Sequence, residues 1–125
     1  MLHHLLVLTD DLEATRSFYR DALGFDEAER PPLPFEGCWL SLGGDPCIHV
    51  AERSSYAAFA ATLGLPLRDG PVDHAAFRRD DYEELAARLE RAGVDVVPNE
   101  VPGLFRQLFV TDPNGLRIEL NVPAR

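Results

Sequence analysis

An internal repeat limits the folds open to this chain more than any other feature does. Residues of similar type recur seventy positions apart at several places in a chain of 125 residues. The matched pairs are Asp11 with Asp81, Glu13 with Glu83, Phe35 with Phe105, Trp39 with Phe109, Leu40 with Val110, Ile48 with Ile118 and Val50 with Leu120. An ancestral duplication places equivalent residues at one offset, so the sequence predicts two related halves.

The predicted elements follow the same order in both halves. In the first half they are a strand at 5–8, a helix capped by Asp11 and ended by Gly24, an edge strand at 25–29, and a hairpin of 38–42 with 46–51. In the second half they are a strand at 74–77, a helix at 81–92 ended by Gly93, a strand at 94–98, and a hairpin of 107–111 with 116–122 around a turn at 112–115. The pattern predicts one α+β domain over 1–125. It is built from two βαβββ modules, about 1–51 and 72–125, and a linker at 52–71 with a short helix at 54–63.

Length and composition exclude several classes of protein. A chain of 125 residues with 46% hydrophobic residues buries a core without disulfides or metals as staples. The net charge of −9 argues against a nucleic-acid or anionic-membrane surface, because both require basic patches. All twelve basic residues are arginine, so Schiff-base chemistry and a lysine-dependent phosphate loop are excluded.

No targeting or membrane segment is recognised in the sequence. The first residues lack a basic region, and no apolar stretch reaches the ~20 residues that a membrane-spanning helix needs. Cys38 and Cys47 have no metal-binding spacing and are expected to be reduced, packed thiols. We therefore expect a cytoplasmic protein.

The repeat also relates four residues that can bind metals. The offset of seventy links His4 to His74 and His49 to Glu119. If the halves pack about a pseudo-twofold axis, their first and last strands bring these four side chains together. Three imidazoles and one carboxylate suit Ni, Zn, Co, Mn or Fe as a divalent ion, in preference to Ca²⁺ or Mg²⁺. His3 is expected to be a bystander, because strand alternation directs it away from the face of His4.

Three motifs resemble the vicinal oxygen chelate superfamily, which includes glyoxalase I, bleomycin-resistance proteins, fosfomycin-resistance enzymes and extradiol dioxygenases. They are the run from His4 to Phe25 (HLLVLTDDLEATRSFYRDALGF), the segment 74–77 (HAAF) with its following helix, and the segment 112–120 (DPNGLRIEL). The middle of the chain is similar to small glyoxalase I-like proteins.

The resemblance implies a cupped, eight-stranded mixed sheet around one metal ion, and commonly a homodimer. His4, His74 and Glu119 match the three ligands that many members share. His49 stands where glyoxalase I has a glutamate ligand and where three-ligand members have none. Glu119 would then be the only carboxylate available as both ligand and base.

The leading functional hypothesis is a metal-dependent lyase or isomerase that acts on a small substrate with neighbouring oxygens through an enediolate. An Fe(II) extradiol-type dioxygenase with a facial triad of His4, His74 and Glu119 is an alternative, but a fourth ligand at His49 would occupy a position that it needs. A thiol-using fosfomycin-resistance enzyme is a weaker fit, because Leu6 replaces the threonine of that branch. A drug-binding protein without catalysis is a further alternative.

The aromatic residues that match between the halves have a structural interpretation and a functional one. Trp39, Phe35, Phe105 and Phe109 are expected in the core, and an apolar pocket wall is the second interpretation. The linker helix, which carries Tyr56, is an expected pocket cover or a surface-packing element. Arg78 would meet an anionic substrate or solvent.

Overall fold

The computed structural model describes residues 1–111 and 116–124, so the predicted turn at 112–115 lies outside the described residues. The strands are β1 (Leu2–Thr9), β2 (Asp26–Ala28), β3 (Gly37–Ser41), β4 (Ile48–Glu52), β5 (Val72–Arg78), β6 (Val97–Val101), β7 (Phe105–Thr111) and β8 (Arg117–Pro123). The helices are α1 (Leu12–Ser17), which continues into a π-helical turn (Phe18–Ala22), α2 (Arg53–Thr62) and α3 (Tyr82–Arg91). Within the described residues, the strand order is β2-β3-β4-β1-β5-β8-β7-β6. This mixed sheet confirms the predicted α+β class.

The chain divides into two compact units. The first unit contains residues 4–73, and the second contains residues 74–125 together with the first three residues of the chain. Strand β1 therefore begins in the second unit and continues into the first. The parallel pairs β1–β4 and β5–β8 and the antiparallel pairs β3–β4 and β7–β8 repeat the same topology in the two units.

Both faces of the sheet are packed in the first unit. Helix α1 covers one face, where the buried residues Cys38, Leu40 and Val50 contact Leu12 and Tyr19. The other face carries alternate residues of β1, and α2 packs there. Its buried cluster consists of Leu6, Leu8, Ala51, Tyr56 and Ala60, with Phe35 and Phe59 beside it. Tyr56 is thus a core residue, and α2 lies on the face of β1 that also carries His4.

The first helix is capped by the two residues that the sequence pattern predicted. The side chain of Asp11 accepts a hydrogen bond from the backbone N–H of Ala14 at 3.0 Å, as an N-cap does. Gly24 ends the helical segment with φ +75°, a conformation that favours glycine. Both predicted helix signals are confirmed.

The second unit has one apolar face and one polar face. Leu85 of α3 packs against Leu108 and Leu120 on the apolar face. The alternate positions carry buried polar residues: His74, Gln107, Glu119 and Asn121. A sheet that buries polar side chains on one face must satisfy them by hydrogen bonds or ligands.

The predicted start of the sixth strand is wrong. The sequence pattern places this strand at 94–98, but it runs from Val97 to Val101. The backbone N–H of Val94 donates to the carbonyl of Leu89, at the C-terminus of α3, so it is not available to a strand. Pro98 is tolerated because β6 is the edge strand of the sheet.

Across the described residues, we find no helix that is both long enough and apolar enough to span a membrane.

Candidate metal centre

Two parallel strand pairs position the four predicted ligands in equivalent ways. In the first unit, His49 of β4 has Leu6 of β1 as its Cα partner, two residues after His4. In the second unit, Glu119 of β8 has Ala76 of β5 as its Cα partner, two residues after His74. Because side chains two residues apart share a face, each pair lies on one face of its unit. The offset of seventy is therefore visible in the strand register.

His74 and Glu119 meet directly in the second unit. The Nε2 atom of His74 lies 2.7 Å from Oε2 of Glu119, and both side chains are buried. The ring of Phe109, the Cα partner of Glu119, contacts the His74 ring edge-on, with centroids 6.1 Å apart. Two potential ligand atoms thus point to the same place beside an aromatic wall.

The other carboxylate oxygen of Glu119 is held by an amide. Nε2 of Gln107 donates to Oε1 of Glu119 at 2.7 Å. Nδ2 of Asn99 in turn donates to Oε1 of Gln107 at 2.7 Å. Sequence reasoning missed both amides, because a single Asn or Gln in a strand has no motif that predicts a partner.

His49 packs against aromatic rings in the first unit. The ring of Trp39 is stacked on it, with centroids 4.0 Å apart and planes inclined by 10°. Trp39 and His49 are Cα partners, and Trp39 is half-buried. Trp39 therefore lies on the face that carries His4 and His49, and its role as an apolar pocket wall stays a prediction.

All four predicted ligands are buried within their own units. His4 and His49 lie in the first unit, and their side chains are 4% and 6% exposed. His74 and Glu119 lie in the second unit, and their side chains are 3% and 4% exposed. The binding of one ion by these side chains stays a prediction.

The predicted donor set of His4, His74 and Glu119 fits a divalent transition metal. Two imidazoles and one carboxylate form the set that leaves coordination positions open to a substrate. Buried carboxylates and imidazoles are costly unless they are paired or bind a metal. The hydrogen bond from Gln107 to Glu119 is the kind of outer contact that orients a metal-binding carboxylate.

Other polar residues named from the sequence lie in different contacts. The Nη2 atom of Arg78 lies 2.9 Å from Nε2 of His3 within the second unit. Asp11 serves as the helix cap. Neither contact involves one of the four predicted ligands.

A known family matches nearly the whole chain. The family model of the Glyoxalase/Bleomycin resistance protein/Dioxygenase superfamily matches residues 1–120. The chain belongs to this superfamily. Its membership confirms the resemblance that the three motifs indicated.

Proteins with several different names are similar to this chain. Glyoxylase I 4 of Arabidopsis thaliana is 31% identical over 123 residues, which are 95% of this chain and 68% of that protein. Glutathione transferase FosA of Serratia marcescens is 29% identical over 125 residues, 97% of this chain and 79% of that protein. The solved structure of methylmalonyl-CoA epimerase from Mycobacterium tuberculosis matches with a TM-score of 0.76 at 24% identity, covering 99% of this chain and 88% of that one. The structural match shows a shared fold.

Proposed function

We propose that this chain is a metal-dependent lyase or isomerase of glyoxalase type that acts on a small substrate with neighbouring oxygen atoms. The observation that carries the proposal is the buried contact of His74 with Glu119 in the second unit, where Nε2 lies 2.7 Å from Oε2. The similarity of this chain, over 95% of its length, to the plant protein named Glyoxylase I 4 supports the same reaction class.

His4, His74 and Glu119 would hold the ion, which would be Ni, Zn, Co, Mn or Fe. Such an ion, when bound, polarises substrate oxygens and stabilises the negative charge that develops when an adjacent C–H bond loses its proton. The protein supplies imidazole nitrogens and a carboxylate oxygen in a buried place, where electrostatic interactions are stronger than in water.

Glu119 is the carboxylate proposed to receive that proton. Its Oε2 atom faces His74, and its Oε1 atom accepts a hydrogen bond from Gln107. Glu119 would serve as ligand through Oε2 and as general base through Oε1.

Aromatic residues would exclude water from the reacting atoms. Trp39 stacks on His49 in the first unit, and Phe109 contacts the edge of His74 in the second. Apolar rings beside an ionised group lower the local dielectric and prevent proton exchange with solvent. We assign to these rings the role of holding a compact, mostly apolar substrate against the proposed metal ligands.

A second candidate function, an Fe(II) extradiol-type dioxygenase, is favoured by one specific observation. His49 was expected to occupy a position that such an enzyme needs, but its ring stacks between those of His4 and Trp39. A set of two histidines and one carboxylate leaves positions for a substrate and dioxygen.

The first experiment measures bound metal. Metal content is determined for the wild type, Glu119→Ala, and the control Glu84→Ala on the exposed surface of α3, after dialysis without chelator. We expect about one ion per chain in the wild type and in Glu84→Ala, and loss of the ion in Glu119→Ala.

The reaction class is then tested with small α-hydroxycarbonyl compounds in D₂O. Metal-dependent exchange of the carbon-bound proton supports the lyase or isomerase, whereas consumption of dioxygen with a catechol supports the dioxygenase. A wild type that holds no ion after reloading with each metal contradicts both. A drug-binding protein without catalysis would then be the better account.

Homodimerisation and a cytoplasmic location remain predictions. Light scattering of the eluting protein tests the first, because a dimer has twice the mass of the 13.9 kDa chain.

A further inference from the structure

A chain of hydrogen bonds runs across three strands of the second unit and ends on a proposed metal ligand. Asn99 of β6 donates to Gln107 of β7 at 2.7 Å, and Gln107 donates to Glu119 of β8 at 2.7 Å. We infer that Gln107 and Asn99 are positioning residues that select Oε2 of Glu119 as the metal-binding atom. This inference rests on the proposed function, because it concerns the same metal site.

The backbone register explains why these three residues meet. Asn99 and Gln107 are Cα partners in the antiparallel pair β6–β7. Glu119 is the Cα partner of Phe109, two residues beyond Gln107 on the same face. Gln107 is therefore a diagonal neighbour of Glu119, within reach of a long side chain.

The two hydrogen bonds require the same orientation of the Gln107 amide. An ionised carboxylate accepts hydrogen bonds only, so the NH₂ group of Gln107 must face Glu119. The oxygen of Gln107 then faces Asn99, which presents its own NH₂ group. Asn99 thus stabilises the one amide orientation in which Gln107 donates to Glu119.

This orientation distinguishes the two oxygens of Glu119. Oε1 accepts a hydrogen bond from the Gln107 amide, while Oε2 lies 2.7 Å from the Nε2 atom of His74. Gln107 is buried and Asn99 is half-buried, so water competes little for the Gln107 bond. The carboxylate is held for binding through a single oxygen.

The hydrogen-bonded chain from Asn99 through Gln107 to Glu119, called the relay here, makes a prediction opposite to that of simple electrostatics. Asn99→Asp adds a negative charge near a cation site, and charge attraction alone would tighten metal binding. In the relay, the new carboxylate accepts from Gln107 and turns its amide over, which places the Gln107 oxygen against Glu119. We therefore expect Asn99→Asp to weaken metal binding.

The test measures Zn²⁺ affinity by competition with a chromophoric chelator, together with the visible spectrum of the Co²⁺-loaded protein. Gln107→Leu and Asn99→Asp are expected to weaken Zn²⁺ binding by about 10- to 100-fold, as removal of outer-shell partners does, and to shift the Co²⁺ bands. Asn99→Leu is expected to have a smaller effect, because Gln107 still donates. The control Asn121→Leu removes another buried amide of the same face, opposite Gln107 in the register, and should bind as the wild type does.

The outcomes separate this inference from the proposed function. If the wild type binds Zn²⁺ and Asn99→Asp binds it equally or more tightly, the relay is overturned and the metal site stands. If the wild type binds no Zn²⁺, the proposed function fails and the relay fails with it. Should Gln107→Leu not fold, Asn99→Asp on the edge strand still decides the question.

Discussion

The imidazole ring of His4 lies flat against that of His49, with ring centroids 3.6 Å apart and planes inclined by 17°. An imidazole binds a metal through a nitrogen lone pair that lies in the plane of the ring. Stacked rings direct their lone pairs into separate parallel planes, so these two rings are poorly placed to bind one ion together. In this arrangement His49 supports His4 by packing, and Trp39 supports His49 in the same way.

The first prediction concerns that stack. His49→Phe keeps a flat ring between His4 and Trp39 but removes both ring nitrogens, so we expect the wild-type metal content. His74→Phe, in contrast, removes a ligand and should abolish metal binding. Metal analysis after dialysis measures both variants. Loss of the ion in His49→Phe would instead establish His49 as a fourth ligand.

The second prediction concerns the close approach of β3 and β4. A Cβ atom at Gly37 would lie 2.1 Å from the carbonyl oxygen of Val50, and this contact is with backbone. Gly37→Ala should lower the free energy of unfolding by about 1–3 kcal/mol, a typical cost of overpacking. Urea denaturation measures this change. Gly44→Ala is the control, because nothing lies within 4 Å of its new methyl group. Equal stability of the two variants would contradict the steric argument.

The third prediction is a pH dependence at the start of α2. Glu52 caps this helix, and its hydrogen bonds with Ser54 and then Ser55 lower the pKa of the Glu52 carboxyl. A lowered pKa contributes stability above the ordinary Glu value of about 4.3, and this is lost as the pH falls through the folded-state pKa.

Glu52→Gln should therefore melt at a lower temperature than the wild type at pH 7, with the difference shrinking toward pH 3. Thermal unfolding followed by circular dichroism measures this difference. Glu90→Gln on α3 is the control, because it removes one negative charge elsewhere on the surface. A Glu52→Gln difference that stays constant with pH would contradict the role of the carboxylate.

The fourth prediction separates the two cysteines. Cys38 is 2% exposed, and burial raises the pKa of its thiol, so little of the reactive thiolate forms. Cys47 is half-buried. A thiol-reactive probe should modify Cys47 in the native protein and Cys38 only in denaturant, as mass spectrometry of the peptides will show. In Cys47→Ser, labelling of the native protein should nearly disappear.

The order of elements and the ligand-type positions were predictable from the sequence. Helix caps such as Asp11 and Gly24 act on neighbouring residues, so their signals are local and survive in any packing. The offset of seventy, which relates His4 to His74 and His49 to Glu119, is a property of the amino-acid order alone. The strand register repeats that relation in the pairings of β1 with β4 and of β5 with β8.

Other features depended on contacts between distant residues. Val94 was expected in a strand, but its N–H completes the end of α3. Gln107 and Asn99 were not recognised, because an amide acquires its function only when three strands bring it to a carboxylate.

Two βαβββ modules, with four ligand-type residues on their first and last strands, follow from the amino-acid order alone, because strand alternation and helix capping act over a few residues. The contact of His74 with Glu119, and the stacking of His49 on His4, depend on tertiary packing instead. The direction of a lone pair is set by how its side chain packs. That packing is fixed by residues on neighbouring strands, such as Trp39 beside His49 and Gln107 beside Glu119.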